Sequence, residues 1–358
     1  MRFSTILIAA VAGLATATPI NELEDRAPVN VLCSCAATQS CGCNGVVAGS
    51  WCVCNGDNSG TWNAAPCQDS TSCGCSGLEY NLPNDEKESD RLDLVHHLWL
   101  LTLDDRLGVA PPCKVKAKVG RVLDVGTGTG IWAMDFGDEH PEATVYGNDL
   151  SAIMPGDVLP NVHFEVDDIE EEWTYSQPFE YIHSRLMTSS ISDWSLYLRR
   201  CFENLQPGGY LELQEMDLFP RSDDGTLKED GAFLTWANFL HEASVKLGRP
   251  YVDMATIKNL MTEAGFEDVA MSVYKWPSNP WPKDPKFKEI GIWNNENNMA
   301  GIEAFSMAPF TRALDWSPAE VTVFLIDVRK DINNRNIHAY WPMYCLVGRK
   351  PETAEASP

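Results

Sequence analysis

Positive charge is scarce in this chain. Its 358 residues include 27 Lys and Arg against 51 Asp and Glu, for a formal net charge of −24. A surface of that sign repels phosphate backbones and anionic lipid, so a general role on nucleic acid would need a local basic patch. The densest cluster, Lys114, Lys116, Lys118 and Arg121, offers only four cations, and no direct nucleic-acid partner is expected. Long apolar runs are missing too. The one near the start, within MRFSTILIAAVAGLATATP, is about a dozen residues long, short for a bilayer. Nothing later supplies a membrane span. Two phosphate-binding fingerprints are also absent. After Gly126 and Gly128 the third glycine of a G-x-G-x-x-G turn would fall on Ile131, which disfavours a nicotinamide or flavin site. No Lys followed by Ser or Thr closes that turn, which removes a P-loop.

What is present begins with an uneven distribution of cysteine. Nine of the 12 cysteines lie between Cys33 and Cys75, in the pairs Cys33/Cys35, Cys41/Cys43, Cys52/Cys54 and Cys73/Cys75 plus Cys67. Ahead of them, one Arg, the short apolar run and Ala15-Thr16-Ala17 have the layout of a secretory signal peptide at 1–17. Residues 18–76 have few large apolar side chains and read as a disulfide-dependent segment. A metal-thiolate cluster is the alternative, because CxC pairs also suit soft metals; no metal site is assigned. The odd count leaves one thiol over, or pairs it with Cys113. From about Tyr80 the texture becomes ordinary globular sequence, giving a main domain at 77–351 and a short disordered tail at 352–358.

That domain alternates strands and helices. Leu92, Val95, Leu98, Trp99 and Leu103 form one helical stripe. RVLDV, ATVYGNDL, NVHFEVDD, FEYIHSR, YLELQEM, EDVAMSVYK and YCLVGRK read as strands, with helices at TGIWAMDFGDEHP, SLYLRRCFENL and IKNLMTEAGF. The alternation predicts a mostly parallel α/β sheet with helices on both faces. Ligands of such sheets sit at the carboxyl ends of the strands, and these ends are acidic: Asp124, Asp149, and Asp167 with Asp168. Gly126, Gly128 and Gly130 let the backbone turn sharply and approach a ligand beside a helix N-terminus. Asp149 can accept both hydroxyls of a ribose, while Asp124 suits a cationic amine better than a pyrophosphate. A ribose, a positive charge and no phosphate describe S-adenosyl-L-methionine.

At these residues the chain resembles the fungal LaeA-like class I methyltransferases. The resemblance spans residues 80 to about 351 and rests on YNLPNDEKESDRLDLVHHLWLLTLDDRL, RVLDVGTGTGIWAMDFGDEHPEA, VDDIEEEWTYSQPFEYIHSR, LQPGGYLELQEMD, RSDDGTL, NPWPKDPKFKEIG and NIHAYWPMYCLVGRKP. It implies a Rossmann-like, seven-stranded sheet whose last strand is antiparallel, S-adenosyl-L-methionine as methyl donor, and a place in fungal secondary metabolism as tailoring enzyme or regulator. Carried over by position, Asp124, Gly126, Gly128 and Gly130 would cradle the methionine half and Asp149 the ribose. Asp167 or Asp168 would meet the adenine amino group beside Ile169. Three positions depart from the pattern: Asn148 where Thr is common, IMPGDVLPNV without its usual Trp, and Ser189 where Gly is more usual.

Methyl transfer from a sulfonium needs alignment above all, and a base only when the acceptor must lose a proton. His183, close to the end of the fourth strand, is the first candidate for that base, because imidazole titrates near neutrality; a hydrogen-bonded core histidine is the competing reading. His338 with Tyr340 is the second candidate, again against a structural role. His96 and His97 belong to the covering helix. Acceptor selection is assigned to 217–255 and 274–340, where Trp276 and Trp281 among prolines could wall a pocket or anchor a loop. The partner expected is a small-molecule acceptor, or regulatory protein partners if the chain controls gene expression.

The signal layout points to the secretory pathway, whereas the donor is supplied chiefly in the cytosol and the resembling family works in cytoplasm or nucleus. The expectation is that residues 1–76 come from a neighbouring gene joined across Ser76 to Glu79. Transcript reads should then fail to cross that junction; reads crossing it at ordinary depth would contradict the fusion.

Overall fold

The computed structural model describes residues 86–114 and 116–352, together with four short strands nearer the start. The signal-peptide reading, the tail beyond 352 and the side chains of 18–76 lie outside the described residues. The chain divides into two compact units, Met1–Glu79 and Tyr80–Pro358. In the first, β1 (Asn30–Cys35), β2 (Gln39–Asn44), β3 (Trp51–Cys54) and β4 (Asn63–Pro66) form an antiparallel sheet in that order. Its backbone register sets Cys33 opposite Cys41, and Cys43 opposite Cys52.

The second unit holds the Rossmann-like sheet. In chain order it runs α1 (Glu86–Thr102), β5 (Arg121–Val125), α2 (Ile131–Glu139), β6 (Thr144–Asp149), β7 (Val162–Val166), β8 (Phe179–Arg185), α3 (Trp194–Asn204) and β9 (Leu205–Met216). Then follow α4 (Ala232–Lys246), α5 (Met254–Glu263), β10 (Glu267–Pro277), α6 (Pro285–Ala313), α7 (Pro318–Asn333) and β11 (Tyr340–Arg349). The strand order is β10-β11-β9-β8-β5-β6-β7, parallel from β9 to β7, with β11 antiparallel to both neighbours.

Strand and helix positions follow from side-chain pattern. β5 and β8 bury nearly every residue, as central parallel strands covered on both faces must. Leu198 and Cys201 of α3 pack with Ile257 and Met261 of α5 on one face. On the other, Val95, Leu98 and Trp99 of α1, with Leu103 just past its end, join Phe233 and Trp236 of α4, Ile302 and Phe310 of α6, and Val321 and Leu325 of α7. The stripe read from α1 is thus the covering face of a core, with Leu92 half-buried at its edge.

Three features differ from the sequence reading. β11 starts at Tyr340 and so includes Pro342, which cannot donate to a ladder. Its pairing with β9 begins only at Met343, so the proline falls beyond the last rung of that side. β10 likewise runs on to Pro277 and absorbs Trp276 into the core. The third is the stretch 285–333, for which no helix was read and which folds as α6 and α7. The buried face of α6 is rich in asparagine: Asn294 donates to the Pro277 carbonyl at 3.0 Å, and Asn298 donates to the Asn294 carbonyl at 2.6 Å. Cys113, a possible partner for the odd thiol of the first segment, is a buried free thiol whose Sγ donates to the Tyr181 hydroxyl at 3.3 Å.

Ser189, where glycine is more usual in the resembling family, has a φ of +61°, in the left-handed region. A Cβ there costs about 1 kcal/mol. Ser189→Gly should therefore raise stability by roughly 1 kcal/mol and the melting temperature by about 2–4 °C, read by calorimetry or denaturant titration. A lower melting temperature would show that the serine side chain earns its place.

Candidate cofactor site

Between the end of β5 and the start of α2, residues 126–130 turn with left-handed backbone at every second position. A Cβ on Gly126 (φ +68°) would stand 2.6 Å from the Met187 sulfur, and one on Gly130 (φ +78°) 2.4 Å from Phe164 Cζ. Both geometry and space therefore require glycine, and the turn presents bare backbone. Gly130 caps α2 without any side-chain bond, so the helix N-terminus offers its backbone donors to a ligand.

Carboxylates lock this turn in place. Asp124, 3% exposed, accepts the Thr127 hydroxyl on Oδ2 at 2.6 Å and the His183 Nδ1–H on Oδ1 at 2.7 Å. Asp149, at the end of β6, accepts the Gly128 N–H on Oδ2 and the Ser151 N–H on Oδ1, both at 2.9 Å. Burial raises its pKa, against the pull of those two backbone bonds. The Thr127 N–H donates to the Asn148 carbonyl at 2.9 Å, and the Asp167 N–H to the Asp149 carbonyl at 3.0 Å. One backbone network thus joins the glycine turn to the ends of β6 and β7. Asp167 is exposed, Asp168 half-buried with Oδ1 accepting the Glu170 N–H, and Ile169 buried beside them.

His183 does not stand where a base must. Its side chain is wholly buried, its ring lies flat on Trp132 at 3.8 Å between centroids, and its Nδ1 is committed to Asp124. An imidazole with no exposed edge reaches no acceptor, so the base assignment is corrected to the core role: His183 fixes Asp124. Asp124 in turn spends one oxygen on Thr127 of the turn and the other on His183 of β8. His338 stacks on Trp281 at 4.8 Å and bonds Asp224 at 2.5 Å, while Tyr340 donates to Asp223 at 2.7 Å, a separate structural cluster. Trp276 packs on Trp99 and donates to the Thr102 hydroxyl, and Trp281 donates to the Ala339 carbonyl. Both tryptophans anchor the chain.

Sequence reasoning missed a buried polar layer under the site. Glu212, fully buried, accepts the N–H groups of Val109 and Ala110 and the Tyr181 hydroxyl. Arg185 donates from Nε to Gln214 at 2.9 Å and from Nη1 to His96 Nδ1 at 3.0 Å, and burial lowers its pKa to about 10. Because arginine only donates, His96 must hold its proton on Nε2, which faces Asp135 at 3.0 Å. Glu215, its pKa raised to about 7 by burial, holds the turn after β8. The signal was present in LELQE, where two acids and an amide fall within five residues of a strand of the buried sheet. Beyond β8, Arg249 bonds both Glu170 and the Ser190 carbonyl, tying the loop after β7 to the loop after β8.

Residues 92–271 match a family described as a methyltransferase domain. Methyltransferase pytC of Aspergillus terreus is 42% identical over 273 residues, covering 76% of this chain and 83% of that protein. The probable methyltransferase tdiE of Emericella nidulans is 36% identical, covering 79% and 89%. The chain belongs to the methyltransferase family. The secondary metabolism regulator laeA of Aspergillus flavus is also 36% identical, covering 76% of this chain and 73% of its own. Among solved structures, the Haemonchus contortus phosphoethanolamine N-methyltransferase 2 complex with S-adenosyl-L-methionine aligns with a TM-score of 0.42 at 19% identity, over 81% of this chain and 63% of that one.

S-adenosyl-L-methionine is the methyl donor of this family, and the residues present fit it. The turn at Gly126–Gly130 would take the methionine half, Asp149 the ribose hydroxyls, and the Asp167–Ile169 stretch the adenine. When bound, the donor supplies a methyl already activated on sulfur; the chain's own part is to hold, align and exclude water.

Two outcomes follow from this geometry. Gly130→Ala, which drives a methyl into Phe164 on left-handed backbone, should cost about 2 kcal/mol or more of stability in denaturant titration; an unchanged midpoint would contradict the close packing. Asp149 would accept ribose hydroxyls as the carboxylate, and its raised pKa means that form is lost sooner on acidification. S-adenosyl-L-methionine affinity should therefore fall as pH drops, beginning above the ordinary aspartate range; affinity flat down to pH 4 would contradict it.

Proposed function

We propose that this chain transfers the methyl of S-adenosyl-L-methionine to a small-molecule acceptor of fungal secondary metabolism. The observation that carries the reading is the 42% identity to methyltransferase pytC across 83% of that protein. The strongly acidic composition supports it, since it disfavours a polyanionic acceptor. Acceptor selection belongs to the segment after β9. There the Tyr251 hydroxyl donates to buried Asp217 at 2.9 Å, and Phe219, His241 and Tyr251 form an aromatic group with centroids 5.7–6.5 Å apart. The methyltransferase unit works where the donor is supplied, in cytosol or nucleus.

The second reading is regulation of secondary-metabolite genes with weak or protein-directed transfer, favoured by the 36% identity to the regulator laeA. Incubation of the purified chain with radiolabelled donor and metabolite extract separates the two. Label should enter an extractable small molecule and stop with Asp149→Ala. Label confined to protein, or deletion that alters many transcripts while no metabolite is labelled, would replace the first reading by the second.

A further inference from the structure

The turn that follows β8 is strained at two non-glycine residues, Leu186 with φ +53° and Ser189 with φ +61°. Backbone of this kind persists only where the surroundings over-determine it. Here they come from β9. The Leu186 N–H donates to the Gln214 carbonyl at 2.8 Å. The next two amides go to one side chain: Glu215 Oε1 accepts the Met187 N–H at 2.8 Å, and Oε2 accepts the Thr188 N–H at 3.1 Å and the Thr188 hydroxyl at 2.7 Å. Three successive amides are therefore fixed by two adjacent residues of the neighbouring strand. Glu215 is wholly buried, and an ionisable group is retained at such a position only when its donors are satisfied.

What the clamp holds is Met187. Its sulfur lies 2.6 Å from the place a Cβ on Gly126 would take, so it covers the first glycine of the cofactor turn. The path runs from a β9 carboxyl, through the turn after β8, to the backbone after β5, along the carboxyl edge of three neighbouring strands. We propose that Glu215 is a positioning residue of the methyltransferase site, which clamps residues 186–188 so that Met187 fixes the glycine turn in its donor-accepting form. It touches neither donor nor acceptor and acts through Met187.

The test compares Glu215→Gln with Glu180→Gln in the full chain. Glutamine keeps size and one carbonyl oxygen but sets an amide NH2 against a backbone N–H. Glu180 is a matched control: it accepts the Gly120 N–H at 2.8 Å at the start of β8, the opposite edge of the sheet. Two readouts are needed, hydrogen exchange of the unliganded protein and calorimetric titration with S-adenosyl-L-methionine. Glu215→Gln should speed exchange at 186–190 and 126–130 and weaken donor affinity by about ten-fold, whereas Glu180→Gln should change neither. Wild-type affinity and exchange at 126–130 in Glu215→Gln would overturn the proposal, as would equal losses in both variants. If Glu215→Gln does not fold, Thr188→Val removes the hydroxyl's bond to Glu215 together with its longer one, 3.3 Å, to the Met216 carbonyl. It should weaken affinity by about three-fold, and an unchanged affinity and exchange would overturn the proposal.

Discussion

Asp124 holds two partners at once, the His183 imidazole on one oxygen and the Thr127 hydroxyl on the other. The first bond reaches across the sheet to β8; the second closes the glycine turn on the strand that precedes it. With Trp132 stacked over His183, the first turn of α2 is pressed onto the same point. Strand, turn, helix and neighbouring strand thus meet at one buried carboxylate. Removing it would leave a buried imidazole and a hydroxyl without partners, which is more damaging than the loss of one ordinary hydrogen bond. The groups that would meet the donor, bare glycine backbone and the Asp149 carboxylate, are held in place by this interior lock.

The same logic extends through the layer beneath. Glu212 and Glu215 stand on one strand, three residues apart, and both are fully buried. Each accepts backbone amides from a loop that lacks regular structure: Glu212 the segment at 109–110, Glu215 the turn at 187–188. Irregular backbone next to a ligand site cannot satisfy itself by ladders or helix turns. This chain supplies carboxylates from the sheet instead, with Arg185 as the buried cation beside Gln214 and Glu212. Strained residues such as Leu186 are tolerated because the sheet grips them.

How much of this could be read from residues alone depends on range. RVLDV followed by GTGTG, and ATVYGNDL ending on an acid, are local patterns whose period and punctuation match the structure at β5, α2 and β6. The place of Asp149 at the end of β6 was legible because a strand-end acid needs no distant partner to be recognised. His183 was not, since its role is decided by Trp132, 51 positions earlier and on another element. The helix α6 escaped notice because its buried face is built from asparagines that bond backbone carbonyls, and because Pro309 lies within it. The extension of β11 through Pro342 depended on where β9 ends, a fact of register and not of composition. Glu215 lay in plain view in LELQE, but nothing local distinguishes a loop clamp from an exposed acid.

Whether this turn takes the methyl donor through Asp149 decides the role of the whole site. Calorimetric titration of the full chain with S-adenosyl-L-methionine, beside an Asp149→Ala control, tests that most directly. Saturable binding that is lost in the control, while the control stays folded, is the result predicted here. A folded wild-type chain that binds no donor, or a control that binds as well as wild type, would contradict it.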